Sequence, residues 1–159
     1  MGAMTNLLVK DDASTPVEVT LVPITDTPYP QWRGNTAGVP LEGQIRTSSL
    51  QEKLKNGSYR VVTKTEVPVM ETLGASGTSA GYVAPPAVAY VNTIITTAFF
   101  DKRSTTADRA NAMKMHMGLI QGASSTTATG VLSNTAAGDA WKNSVLPITN
   151  HMINLVTPN

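Results

Sequence analysis

The sequence predicts an α+β fold in which an antiparallel β-sheet is followed by two helices. Apolar and polar residues alternate with a period of two in several runs of the first two thirds of the chain, as in strands with one covered face. After Ser104 the apolar residues recur at helical spacing instead. Because the strands precede the helices, an antiparallel sheet is favoured over alternating strand–helix units.

The chain begins with a predicted β-hairpin. The run NLLVK is followed by the polar DDAST and then by VEVTLVPI, in which Val17, Val19 and Leu21 share one face. A short strand is predicted within DTPYPQWRGN, where the prolines limit its length. These segments form the predicted hairpin and a short strand of the antiparallel sheet.

Three runs supply further strands. LEGQIRTSS alternates and places Glu42, Gln44 and Arg46 on one face, and LQEKLKNG is interpreted as a charged connection ending in an Asn-Gly turn. SYRVVTKTEV has Arg60, Lys64 and Glu66 on one face. AYVNTIITTAFF is the last strand, and residues 68–86 before it form a long loop rich in Gly, Ser and Pro.

Two helices are predicted over residues 104–159. RSTTADRANAMKMHMGLIQG carries Ala110, Met113, Met117 and Ile120 on one side, and an N-terminal capping box is predicted just before them. VLPITNHMINLVTPN is a shorter closing helix, reached through an extended connection over residues 123–144. With the sheet in 1–100 and no internal boundary, the sequence predicts a single domain over 1–159.

Composition narrows the classes of function. Charged residues make up 14% of the 159 residues, against roughly 25% in soluble domains, which indicates a surface partly covered by other protein. The net charge of +1 and the absence of a basic tail mean that an anionic partner must meet a local patch. The chain has no cysteine, which excludes disulfides and thiolate metal sites. Neither a signal peptide nor a membrane span is predicted.

No catalytic constellation is evident. His116 and His151 have no ligand partner at a recognised metal spacing, and the carboxylates are scattered. The run GASGTSAG lacks the lysine and the following helix of a phosphate-binding loop. We therefore expect no enzyme activity, cofactor or metal.

The polar strand faces carry the strongest functional signal. Tyr90 and Asn92 lie two residues apart and therefore share a face of the last strand. Together with the polar faces of the two preceding strands they would combine cations, amides and an aromatic ring, a mixture used for single-stranded RNA. An ordinary solvated sheet face is the alternative, and the pattern alone leaves both open. The candidate RNA-binding residues are Lys64, Tyr90, Asn92, Gln44, Arg46 and Arg60.

Six runs in colinear order resemble the coat proteins of single-stranded RNA bacteriophages, the levivirus-like group. They are PQWRGN, QIRTSS, NGSYRVVTKTEVP, AYVNTIITTAFF, STTADRANAMKMHMGLIQGAS and VLPITNHMINLVTPN. The resemblance implies an N-terminal β-hairpin and a five-stranded antiparallel sheet followed by two helices. It also implies a homodimer in which the helices of each copy cover the partner's sheet and interlock. It further implies that dimers assemble into an icosahedral (T=3) shell in the virion, built in the bacterial cytoplasm.

The resemblance also implies partners and residue roles. The inner sheet face would bind genomic RNA, including a hairpin whose binding represses translation, and a phage maturation protein would be a further partner. Tyr90 would stack on an unpaired base and Asn92 would bond to the same nucleotide. Lys64 would meet phosphate or a base, with Gln44, Arg46 and Arg60 as further contacts. The main alternative is a non-viral homodimeric RNA-binding regulator that forms no shell.

Overall fold

A computed structural model of the chain describes residues 4–13, 15–71, 86–121 and 147–158. The chain divides into two compact units, one of Met1–Val9 with Val19–Phe99 and one of Lys10–Glu18 with Phe100–Asn159. The first holds the sheet and the second the helices. The single domain over 1–159 stays a prediction. Most of the predicted long loop and the whole 123–144 connection lie outside the described residues.

The sheet has six strands whose order in space is their order in the chain. The strands are β1 (Leu7–Lys10), β2 (Glu18–Thr25), β3 (Gln31–Gly34), β4 (Arg46–Lys53), β5 (Tyr59–Met70) and β6 (Val88–Phe100). The pairs β2–β3, β3–β4 and β4–β5 are antiparallel. The predicted α+β class is confirmed, and the N-terminal hairpin is part of the same sheet.

The beginning and the end of β4 differ from the prediction. Leu41–Gly43 forms a turn of 3-10 helix, closed by a 3.0 Å hydrogen bond from Gly43 N to Pro40 O, so LEGQ is not a strand. At the other end β4 continues to Lys53, where the sequence predicted a connection. Pairing with β5 over Gln51 to Lys53 outweighs the low strand propensity of these charged residues.

The predicted Asn-Gly turn is confirmed between β4 and β5. Asn56 Oδ1 accepts a 3.0 Å hydrogen bond from Ser58 N, and Gly57 has a φ of 86°. That left-handed conformation favours glycine because it has no Cβ. The turn sets the register in which Lys53 lies opposite Tyr59.

The helices are α1 (Thr106–Gln121) and α2 (Pro147–Asn154). The predicted capping box is confirmed: Thr105 N donates to Asp108 Oδ2 at 2.9 Å, and Asp108 N donates to Thr105 Oγ1 at 3.2 Å. The hydrogen bond from the Thr105 backbone N–H to the Asp108 carboxylate, followed by a 2.8 Å bond from the Thr105 hydroxyl, holds the pKa of that carboxyl below its usual value. The helices are joined by a 2.7 Å bond from Thr149 Oγ1 to Ile120 O.

Thr105→Ala should lower the free energy of unfolding by about 1 kcal/mol, the usual cost of losing an N-cap. Because the pKa of Asp108 is depressed in the folded state, its contribution is present above the ordinary carboxyl pKa and is lost as the pH falls through the folded value. Chemical denaturation at pH 7 and pH 3 checks this. If Thr105→Ala loses as much stability at pH 3 as at pH 7, the Asp108 carboxylate does not contribute to the capping box.

Each unit leaves much of its apolar surface uncovered. Among the described residues, Leu21 is the buried hydrophobic side chain, with 3% of its surface accessible. Ile95 and Phe99 on β6 are 60% and 66% exposed, and Met117 on α1 is 40% exposed. No helix in the described ranges is long and apolar enough to cross a membrane.

Candidate nucleic-acid interface

The strand registers bring polar side chains of neighbouring strands together on one face, which the apolar pair Leu50 and Val62 interrupts. Because directly opposed residues share a face, Arg46 lies beside Glu66, Ser48 beside Lys64, and Glu52 beside Arg60. β3 extends the surface through its pairing with β4. We call this surface the polar sheet face, and it consists of Gln31, Arg33, Arg46, Ser48, Glu52, Arg60, Lys64 and Glu66.

Two ion pairs lie on the polar sheet face. Lys64 Nζ is 2.6 Å from Glu66 Oε1, and Arg60 Nε is 2.6 Å from Glu52 Oε1. The Arg60 Nε–H is not directed at the oxygen and makes no hydrogen bond, so this contact is electrostatic. The four side chains are about one third to two fifths exposed. Such pairs contribute little to stability, so both cations can turn to a phosphate at small cost.

Tyr90 and Asn92 lie on β6, which neighbours β5, and both are exposed. Just beyond these strands Glu71 N donates a 2.8 Å hydrogen bond to Ala87 O, so these two residues lie opposite each other. Alternation from that point gives even-numbered residues of both strands the same face. Continued along both strands, this alternation puts Tyr90 and Asn92 on the side of Lys64, and their role in RNA binding stays a prediction.

Gln44 does not lie on the polar sheet face. It precedes β4 and is only 6% exposed. Its side-chain amide accepts a hydrogen bond from Thr36 N at 3.0 Å and donates to Thr36 O at 2.9 Å and to Val39 O at 2.8 Å. The predicted strand placement of Gln44 is wrong because these bonds to the preceding loop, not a strand, satisfy the residue.

Gln44→Leu should lower the free energy of unfolding by about 1–2 kcal/mol, because it removes all three bonds and leaves main-chain groups of Thr36 and Val39 unpaired. Thermal denaturation measures the loss. RNA affinity of the folded variant should match that of the native chain. If Gln44→Leu instead has native stability and binds RNA poorly, Gln44 contacts RNA.

A polar depression opens on the polar sheet face. It is lined by Tyr29, Gln31, Trp32, Arg46, Thr47, Ser48, Lys64 and Glu66. Tyr29, Gln31 and Ser48 were not candidates from the sequence. The alternation of Gln31 and Arg33 in QWRG could have indicated a polar face on β3. Ser48 could be placed opposite Lys64 only through the register.

Among the described strands, the opposite face of the sheet carries threonine and tryptophan side chains in place of ion pairs. Thr47 and Thr65 lie opposite each other with their hydroxyl oxygens 3.2 Å apart, and Thr47 Oγ1 also donates to Lys64 O. Trp32 Nε1 donates to Thr5 O at 2.9 Å and ties the N-terminal segment to β3. In the described part of the chain, no group of three His, Asp or Glu side chains could hold a metal ion.

Comparison with known proteins identifies the family to which this chain belongs. The family model of the levivirus coat protein matches residues 2–137. The chain belongs to the levivirus coat protein family. It is also 30% identical over 110 residues to the capsid protein of Pseudomonas phage PRR1, covering 69% of this chain and 79% of that protein. The coat protein described here is therefore a structural protein of the virion, in a family of capsid proteins and not of enzymes.

Solved structures agree with the fold of this coat protein. It is similar to the virus-like particle of bacteriophage EMS014, with a TM-score of 0.82 and 47% identity over 99% of this chain and 100% of that one. The virus-like particle of bacteriophage NT-214 matches with a TM-score of 0.70 at 17% identity, over 99% and 100% of the two chains. The NT-214 likeness concerns the fold alone.

Proposed function

We propose that this coat protein forms an obligate homodimer through the outer edge of β6. In the described sheet β6 is the last strand and has 13 residues. Val91, Ile95 and Phe99 share one of its faces and are exposed. A long apolar edge strand is a hazard in a monomer, whereas a two-fold pairing covers it with its own copy. This edge carries the proposal, together with the fact that Leu21 is the one buried apolar side chain among the described residues.

The helices complete the dimer in this proposal. Met113, Met117 and Ile120 recur at helical spacing on one side of α1, and Met117 is exposed in the single chain. If this side of α1 lay over the partner's sheet, its apolar side chains and those on the exposed face of the partner's β6 would bury each other. The interlocked arrangement would cover the apolar side chains that are exposed among the described residues of each unit.

Dimers then assemble into a closed shell that packages the phage genome. The likeness to the EMS014 virus-like particle at 47% identity supports self-assembly. The chain has no cysteine, so contacts between dimers are noncovalent. A T=3 shell and a phage maturation protein as a further partner follow from the family resemblance.

The polar sheet face and β6 bind single-stranded genomic RNA in this proposal. Arg46, Arg60 and Lys64 supply cations for phosphates, Tyr90 an aromatic ring for stacking and Asn92 an amide for a base edge. Binding of a hairpin at this surface would also repress translation. A regulator that binds RNA without forming shells is the alternative, and it predicts dimers only.

Electron microscopy of the protein expressed alone in bacteria tests assembly, and the ultraviolet absorbance of the same fraction tests RNA packaging. We expect uniform shells with an absorbance excess at 260 nm that survives ribonuclease treatment. Shells without nucleic acid would contradict the RNA-binding face. Discrete dimers without shells would favour the regulator.

A further inference from the structure

We propose that the polar depression selects a guanine base of the bound RNA. The proposal rests on the RNA binding proposed above and adds the base that is read. Arg46 on β4 lies directly opposite Glu66 on β5, and both line the depression. Lys64, two residues from Glu66 on the same face, lies opposite Ser48 and is the second cation in the lining. The depression thus combines charged donors with one carboxylate acceptor.

Guanine complements this arrangement. It carries two acceptors, O6 and N7, on one edge, which a guanidinium matches with two parallel hydrogen bonds. Its N1–H and N2–H₂ donors point to another side of the ring and match the two oxygens of a carboxylate. Arg46 would therefore bind O6 and N7, and Glu66 would bind N1–H and N2–H₂.

Adenine offers these groups fewer hydrogen bonds. Its N7 can accept from the Arg46 guanidinium and its N6–H₂ can donate to the Glu66 carboxylate, which makes two bonds where guanine can make four. Adenine has no N1–H or N2–H₂ donor for the second carboxylate oxygen. The depression therefore favours guanine over adenine.

Arg46 and Glu66 have hydrogen-bonding capacity available for a base. Among the described residues, Arg46 makes one side-chain hydrogen bond, from Nη2 to Leu41 O at 3.4 Å, and a guanidinium has five N–H donors. Glu66 uses Oε1 for Lys64, in a half-exposed pair that can rearrange at low cost. Tyr29 lies two residues before Gln31 and contributes an aromatic ring to the lining, which can stack on the bound base.

Labelled hexanucleotides test the proposal by fluorescence anisotropy, with the full-length protein kept below the concentration at which shells form. The probes are UUUUUU, UUGUUU and UUAUUU. We expect UUGUUU to bind roughly tenfold more tightly than UUAUUU, in line with one good bidentate contact. Glu66→Gln should reduce that preference to about twofold, because its amide NH₂ would face guanine donors.

Glu52→Gln is the matched control. Glu52 lies on the same face, forms an ion pair of the same 2.6 Å length with Arg60, and is outside the depression. The control removes the same charge and should keep the guanine preference. Equal affinity for UUGUUU and UUAUUU, or a preference that survives Glu66→Gln, overturns the guanine proposal while RNA binding stands. No binding of any of the three probes overturns the RNA-binding proposal as well.

Discussion

Met117→Asp should leave the coat protein monomeric at concentrations where the native chain forms dimers and shells. Met117 lies on the side of α1 that is proposed to cover the partner's sheet, and 40% of its surface is accessible in the single chain. In the dimer an aspartate there would be an unpaired charge in an apolar contact, which costs several kcal/mol. Size-exclusion chromatography with light scattering measures the mass.

Two variants control for folding and for charge. Met117→Leu keeps an apolar side chain of similar volume and should dimerise normally. Lys114→Gln changes the net charge by the same amount on the same helix, at an exposed position, and should also assemble. Dimers of native mass formed by Met117→Asp at nanomolar concentration would contradict the proposed covering of the sheet by α1.

Asn92→Ala should weaken RNA binding by about 1–3 kcal/mol, the value of a good base-specific contact. Asn92 is exposed on β6 and shares its face with Tyr90, so an amide and an aromatic ring can meet the same nucleotide. The affinity of dimers for a hairpin from the phage's own genome, measured by filter binding, checks the effect. The loss should depend on the sequence of the hairpin, because a contact to phosphate alone would weaken all RNAs equally.

Thr93→Ala is the matched control for this test. Thr93 is the next residue of β6, is also exposed, and points to the opposite face. Its loss should leave hairpin affinity unchanged. An Asn92→Ala dimer with native affinity for the hairpin would remove Asn92 from the proposed site.

The sequence predicted the strands whose side chains alternate over long runs, but not the structure around residues 41–53. LEGQ has the right alternation for a strand, yet Pro40 begins a turn there and Gln44 bonds to a loop eight residues away. Similarly, the charged run that contains Glu52 and Lys53 indicates a connection until their cross-strand partners Arg60 and Tyr59 are known. Both differences depend on contacts with a neighbouring segment, which the alternation within one segment does not contain.

The candidate site also has a part that alternation could predict and a part that depends on strand pairing. Alternation within single strands could put Lys64 with Arg60 and Tyr90 with Asn92, but the shared side of the two pairs follows from the contact between Glu71 and Ala87. The depression could not, because it depends on the register that sets Arg46 opposite Glu66.

The outer edge of β6, which no strand of the described sheet pairs with, has a consequence for how stability must be measured. If the apolar core is completed only between two copies, folding and association are one reaction, and the stability of the protein depends on its own concentration. Dilution would then unfold the coat protein where dilution of a monomeric protein would not. In an infected cell, the first copies translated would be the least stable, and each further copy would add to the stability of those already present.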